Sequence, residues 1–393
     1  MFVLSRFQKY CFLILYLFGY SFLSKAQDIK VKKQLIFPAQ NQHVHSSSLV
    51  SLPNGDLLAC WFQGSGERKA DDVRIMGARL KKGDVSWGKP FIMADTPDFP
   101  DCNPVLFLSQ ESELFLFWIV IQANRWEEAI LKYKKTRDYI EEGPPKWTWQ
   151  DIILLKPSDQ FKKTIEHKFK QLPNRNLGWA EYAPPYERMI IEAASDKSKR
   201  QKGWMTRTKP IQISSGRILL PLYSDGFNFS LIAFSDDQGK NWSCSEPLVG
   251  YGNIQPSLEE KQNGEIVAYM RDNGDPPNRV LMTYSTDQGE HWEKVTDVSI
   301  PNPGSSLHTL TMDNGHWLMV NNNLESGRNI LNLNRSTDEG KTWKVIYEIE
   351  KSKDPKNRYS YPTLIKTLEG EIHLSYSLDS KHKKSIVHAV ISL

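Results

Sequence analysis

The sequence predicts an all-β chain wound as a six-bladed β-propeller, and three observations carry that expectation. An eight-residue box, Ser-x-Asp-x-Gly-x-x-Trp, recurs at 235–242, 285–292 and 336–343, with serine-to-serine spacings of 50 and 51 residues. A fixed period of that size marks repeated supersecondary units. A tight X-Gly turn recurs more widely, at Asn54-Gly55, Ser215-Gly216, Asn263-Gly264, Asn314-Gly315 and Glu369-Gly370, each between apolar runs, with a glycine-free counterpart at 110–112. Glycine accepts the positive φ of primed hairpin turns, so six such turns predict six blades. The 12 Trp, 15 Tyr and 17 Phe among 393 residues supply aromatic mass for a large β core. Four-stranded sheets repeated around an axis also leave few open edges.

At the amino terminus, Arg6 and Lys9 precede a mostly apolar run at 10–23 that ends in Ser24-Lys25-Ala26. A basic start, a short apolar core and a small-x-small end form the signature of a secretory signal peptide over 1–26. Export to the periplasm or beyond the cell is therefore expected. The run is too short to span a bilayer comfortably, and no second one follows. Residues 27–393 then read as one propeller domain. Cys60, Cys102 and Cys244 remain, an odd number with no ligand spacing, so neither a disulfide framework nor a metal site is expected. His43-x-His45 lacks identifiable further ligands. A net charge of +4 with mixed signs gives no footprint of nucleic-acid or membrane binding.

The first blade runs from about His45 to Trp87, with a decayed box, and the second from about Asn103 to Trp149, whose box has lost its glycine. Regularity stops between Asp151 and Trp204, where 156–172 and 184–201 read as helical or irregular insertion. Long insertions in compact folds are often functional lids; a plain surface excursion is the equal alternative. Blades three, four and five follow from about Met205, Ile254 and Ser305. The last begins near Tyr361 and takes its missing strand from 31–38. The boxes themselves are expected to be structural: Asp and Ser bond the turn backbone, Gly takes a left-handed angle, and Trp packs between blades.

If strand 1 of each blade runs down the axis, the hairpins and boxes share the lower face. The upper face then carries the strand-1 starts and the loops joining strands 2 and 3. Counting back nine or ten residues from each turn glycine places His45, Arg207, Gln255, Ser305 or Ser306, and Tyr361 there; counting forward adds Glu67, Asp71, Asp72, Asp225, Arg271, Arg279 and Arg328. Converging arginines point to a carboxylate, which guanidinium grips through paired hydrogen bonds. A tyrosine beside them suits a nucleophile, and an Asp or Glu across the site suits a proton donor. Singly, each has a quieter explanation: a surface ion pair for Arg279 or Arg207, a turn cap for Asp71 or Asp72, a core aromatic for Tyr361.

With the three boxes, the blade spacing and these top-face residues together, the chain from about His43 onward resembles the sialidase (neuraminidase) superfamily, in particular its bacterial BNR-repeat branch. The resemblance implies three carboxylate-binding arginines, a tyrosine nucleophile activated by a glutamate, and an aspartate acid/base in the first blade. Arg271 in Tyr269-Met-Arg271-Asp then corresponds to the second arginine and Arg328 in Ser326-Gly-Arg328-Asn to the third. Tyr361 in Tyr361-Pro-Thr-Leu corresponds to the nucleophile, and Asp71 or Asp72 to the acid, with Glu67 as a near rival. Two positions depart from the pattern: His45 stands where the family has its first arginine, and Gln255 where it has the activating glutamate. Glutamine cannot take a proton from tyrosine, and histidine is a pH-dependent carboxylate partner.

The resulting expectation is an exported, exo-α-sialidase-like glycoside hydrolase, without cofactor, acting on a carboxylated sugar in a glycan or polysaccharide. Tyr361 is its nucleophile, Asp72, Asp71 or Glu67 its acid, and His45 a substitute activator. Arg271, Arg328, Arg207, Gln255 and Arg279 are its substrate-binding set. The first alternative is a uronate lyase on the same fold, with His45 or Tyr361 removing a proton. The second is a glycan-binding propeller without catalysis.

Overall fold

A computed structural model describes residues 29–173, 186–381 and 383–393. The expected signal peptide and part of 184–201 lie outside these residues. The first strand, β1 (Lys30–Leu35), is taken up last, after six sheets have followed one another around an axis. Blade 1 holds β2 (His43–Ser51), β3 (Leu57–Gly64), β4 (Arg74–Leu80) and β5 (Phe91–Ala94); blade 2 holds β6 (Asp101–Leu108), β7 (Leu114–Ile121), β8 (Ala129–Thr136) and β9 (Trp149–Ile152). In blade 3 the inner strand is split into β10 (Met205–Thr206) and β11 (Ile211–Gln212), both paired with β12 (Ile218–Ser224), followed by β13 (Phe229–Ser235) and β14 (Ser243–Cys244). Blade 4 comprises β15 (Asn253–Glu260), β16 (Ile266–Asp272), β17 (Arg279–Ser285) and β18 (Thr296–Pro301). Blade 5 comprises β19 (His308–Thr311), β20 (Trp317–Asn321), β21 (Ile330–Ser336) and β22 (Lys344–Lys351). Blade 6 has β23 (Arg358–Lys366), β24 (Ile372–Ser380) and β25 (Lys383–Ser392) from the carboxyl end, and β1 completes it, in antiparallel register from Lys30↔Ser392 to Leu35↔Val387.

The inner strands form the ring: β2 packs on β6 and β23, β19 on β15 and β23, and β10 on β6, while the second strand of blade 3, β12, packs on β15. The cores lie between the blades. Val267, Tyr269 and Trp317 join blades 4 and 5, while Leu331, Leu364 and Tyr376 join blades 5 and 6. This is why a strand such as β7, with sequence LFLFWIVI, is buried at every position instead of alternating: both of its faces meet other blades. The interval between blades 2 and 3 carries α1 (Phe161–Gln171), α2 (Tyr186–Ser195) and α3 (Lys197–Arg200). Phe161, Ile165 and Phe169, at a spacing of four, face the core shared with those blades. No helix among the described residues is long and apolar enough to cross a membrane.

The turn chemistry is local. In the last box, Ser336 Oγ accepts from Gly340 N at 2.8 Å and donates to Asp338 at 2.7 Å, Asp338 accepts from Thr342 N at 2.9 Å, and Trp343 Nε1 donates to the Gly340 carbonyl at 3.1 Å. Gly340 has φ 82°, and a Cβ there would lie 1.9 Å from the Tyr269 hydroxyl of the neighbouring blade. The hairpin between β6 and β7 manages without glycine by putting Ser112 at φ 61°.

Candidate active site

On the upper face, a cavity of about 370 Å³ is lined by residues from every blade. Its floor is made by a repeated backbone device. Four inner strands carry a β-bulge, with register shifts at His45/Ser48, Cys102/Val105, Ile254/Ser257 and Ser360/Thr363. Within each, one residue is left-handed: Ser46 at φ 57°, Asn103 at 50°, Gln255 at 58° and Tyr361 at 58°. Each lies nine residues before the left-handed residue of its own hairpin. A bulge re-aims a side chain that an even pleat would send between blades; here it brings Asn103, Gln255 and Tyr361 to the cavity.

Tyr361 is the centre of the floor. Its hydroxyl oxygen accepts from Gln255 Nε2 at 3.3 Å and from Arg271 Nη1 at 3.4 Å. His45 stacks on its ring at 4.1 Å between centroids. Burial, followed by the charges of His43 and Arg328, holds His45 well below the usual imidazole range, so it is neutral near pH 7. Above the floor stand three guanidinium groups from consecutive blades: Arg271 (blade 4), Arg328 (blade 5) and Arg358 (blade 6). Arg328 donates to the Gly304 carbonyl at 2.7 Å. Burial chiefly, then the neighbouring Arg271 and Arg358 charges, bring it down to about 10, with Tyr361 opposing them. Among the described residues, no carboxylate lies within ion-pair distance of any of the three.

The lining also carries two acids on strand 2–3 loops, Glu67 and Asp225. Glu67 on the strand 2–3 loop of blade 1 has its carboxyl raised above the usual range, by burial first and also by the charge of Asp225, with Arg68 opposing. Asp225 on the corresponding loop of blade 3 is raised as well, again by burial first, with Arg271 opposing. Asp225 lines the cavity but is itself an exposed residue.

Several expected residues are elsewhere. Both oxygens of Asp72 accept from Ser65 N at 3.0 Å and one also accepts from Ser65 Oγ at 2.8 Å, so this carboxylate closes its own loop and does not reach the cavity. These hydrogen bonds hold it below the usual range. Asp71 is exposed and outside the lining. Arg279 turns away to Glu325 and the Asn278 carbonyl, an ion pair at the rim of blades 4 and 5. Arg207 is 1% exposed and lies against the Tyr361 ring, beneath the floor, so it is not a contact for a ligand in the cavity. Conversely, Arg358 and Asn103 line the cavity and were not among the expected residues, although Arg358 begins its strand 1 three residues before Tyr361 and Asn103 lies nine residues before Ser112. Lys384 and Asp379, paired at 3.6 Å on the two middle strands of blade 6, have no motif that announces them. Nor do the described residues group three or more His, Cys, Asp or Glu as a metal site would.

Residues 55–207 and 202–374 match the family model described as BNR repeat-like domain. An anhydrosialidase of Macrobdella decora is 25% identical over 195 residues, 44% of this chain but 25% of that protein, so the match spans only a quarter of that relative's length. Among solved structures, a protein of unknown function from Dyadobacter fermentans superposes with a TM-score of 0.64 at 13% identity, covering 93% of this chain and 99% of that one. The Trypanosoma rangeli sialidase in complex with the inhibitor DANA superposes with a TM-score of 0.65 at 13% identity, covering 92% of this chain and 59% of that one. At such identities the structural likeness establishes the fold.

Proposed function

The chain belongs to the BNR repeat-like family within the sialidase superfamily, and from that membership we propose that it is a glycosidase releasing a carboxylated sugar from a glycan. The observation that carries the reading is the set Arg271, Arg328 and Arg358 around one cavity, none of them ion-paired with a carboxylate among the described residues. Arg271 and Arg328 are half-buried cations; without a carboxylate such charges are costly unless an anion joins them, and guanidinium forks match a carboxylate. The acidic sugar then sits over Tyr361, with its leaving group toward the blade 1 wall. Glu67, whose carboxyl is raised above the usual range by burial, is the acid in place of Asp72. It gives its proton to the departing oxygen while the Tyr361 oxygen bonds the anomeric carbon and the phenol proton passes to water in the cavity. Water then attacks that carbon, the Glu67 carboxylate takes the water's proton, and the tyrosine is freed. Export by the amino-terminal segment would place this activity outside the cytoplasm.

The test is incubation of the purified protein with sialylated and uronate-containing glycans, read by mass spectrometry and ultraviolet absorbance. A released acidic sugar carrying one added water supports the hydrolase. A product without that water overturns it: absorbance of a conjugated acid marks a lyase, and its lack marks an intramolecular transfer. Binding without turnover marks a glycan-binding propeller.

A further inference from the structure

Arg207 is the least explained charge in the protein. It lies nine residues before the hairpin glycine Gly216, the place that Gln255 and Tyr361 occupy in their own blades, but it points beneath the cavity floor. Its Cζ is 4.5 Å from the centroid of the Tyr361 ring, and its Nη2 donates to the carbonyl of the next residue, Pro362, at 3.1 Å. Nε and Nη1 have no partner among the described residues. Burial brings it down to about 10, and the groups that compensate its charge are Tyr361, Tyr223 and Cys60, none of them a carboxylate. Packing alone is better served by an apolar side chain of the same length, and one bond to a carbonyl by an amide; neither needs a buried cation.

The same tyrosine lacks the base that its proposed role calls for. Around its oxygen stand two donors, Gln255 and Arg271. A carboxylate at 255 would accept the phenol proton; an amide cannot. We propose that Arg207 is a positioning residue that replaces this base by charge: held against the ring, it offsets the negative charge that the tyrosine oxygen gains as its proton leaves and again as the tyrosine departs. This rests on the reading of Tyr361 as nucleophile. The phenol proton passes to water in the cavity as the bond from tyrosine oxygen to anomeric carbon forms and the bond to the leaving oxygen breaks. Glu67 protonates that oxygen. In the second half, water adds to the anomeric carbon, its proton goes to Glu67, and the tyrosine leaves with the electron pair. A fixed cation in a water-poor setting acts on such a charge without reorganising.

The experiment compares Arg207→Met, Arg207→Gln and Arg207→Lys on the acidic sugar released by the intact protein, with thermal melts to report folding. Arg207→Gln keeps a donor for the Pro362 carbonyl and covers the case in which Arg207→Met does not fold. Both neutral variants are expected to lose on the order of a hundredfold in kcat with little change in KM, and Arg207→Lys to stay within about tenfold of wild type. Adding Gln255→Glu to Arg207→Gln is expected to recover at least about tenfold, because a base then does what the charge did. A folded Arg207→Gln with wild-type kcat, a folded Arg207→Lys as slow as the neutral variants, or no recovery in the double variant overturns the inference. A wild type that releases no acidic sugar overturns the nucleophile reading and this inference with it.

Discussion

Two carboxylates five residues apart in one loop show how much a residue's role depends on what it faces. Asp72 is bonded three times to Ser65, whereas Glu67 opens into the cavity with its carboxyl raised by burial. Glu67→Gln is therefore expected to lower kcat by on the order of a hundredfold or more, and Asp72→Asn to leave kcat unchanged while costing a little stability. The pH dependence has a definite sign. An acid must be protonated to act, so activity falls as pH rises through the raised Glu67 carboxyl, later than for an ordinary glutamate. Asp225 contributes to that rise, so Asp225→Asn moves the alkaline limb to lower pH. A kcat profile for wild type and the three variants checks each point; an active Glu67→Gln would return attention to Asp225.

At the scale of the element, the inner strand shows how a repeated hairpin becomes a site. Its bulge holds a tyrosine at φ 58°, a conformation that costs roughly 1–3 kcal/mol for a bulky residue and persists only where packing enforces it. The other left-handed positions are not alike. Gly264 and Gly340 have φ of 85° and 82°, but nothing lies within 4 Å of a Cβ at Gly264, while the Tyr269 hydroxyl would be 1.9 Å from one at Gly340. Gly264→Ala is expected to cost about 1 kcal/mol, the conformational term alone. Gly340→Ala is expected to cost roughly 3 kcal/mol or more, because blades 4 and 5 must separate locally. Denaturant melts of both variants decide; equal losses would mean that the box glycine is needed only for its dihedral angle.

For the whole molecule, stability depends on closing the ring. The closure joins β1 to β25 and is buttressed by a chain of side chains: Trp87 Nε1 donates to His388 Nδ1 at 3.3 Å, and His388 Nε2 meets His373 Nδ1 at 2.9 Å. Deleting residues 29–35 leaves β25 as an open edge and is expected to give a protein that melts lower and self-associates, read by calorimetry and light scattering. Acid should weaken the same seam. Burial, then His373, lowers His388 from 6.5 to about 3. The unfolded chain takes up that proton near 6.5 and the folded chain only near 3, so stability present above 6.5 is lost progressively as pH falls toward 3. His388→Gln, which keeps an acceptor for Trp87, should flatten the dependence of Tm on pH; an unchanged slope would assign the acid sensitivity to the other buried histidines.

The six blades, their order and the amino-terminal closing strand were legible in the sequence. Each rests on short-range chemistry: a glycine that can turn, a box that bonds itself, an apolar run between them. The floor residues Tyr361 and Gln255 were legible for the same reason, since their distance from the hairpin is set by one continuous strand. What only the tertiary structure decided is which neighbouring charges meet. Asp72 and Glu67, or Arg279 and Arg271, occupy similar places along the chain, and only the packing of one blade against the next turns one into the cavity and the other toward a loop or rim partner. Arg207 shows the limit most clearly. Its position in the chain marks it as an axial residue, but its placement beneath a ring supplied 154 residues later follows from closure of the whole propeller.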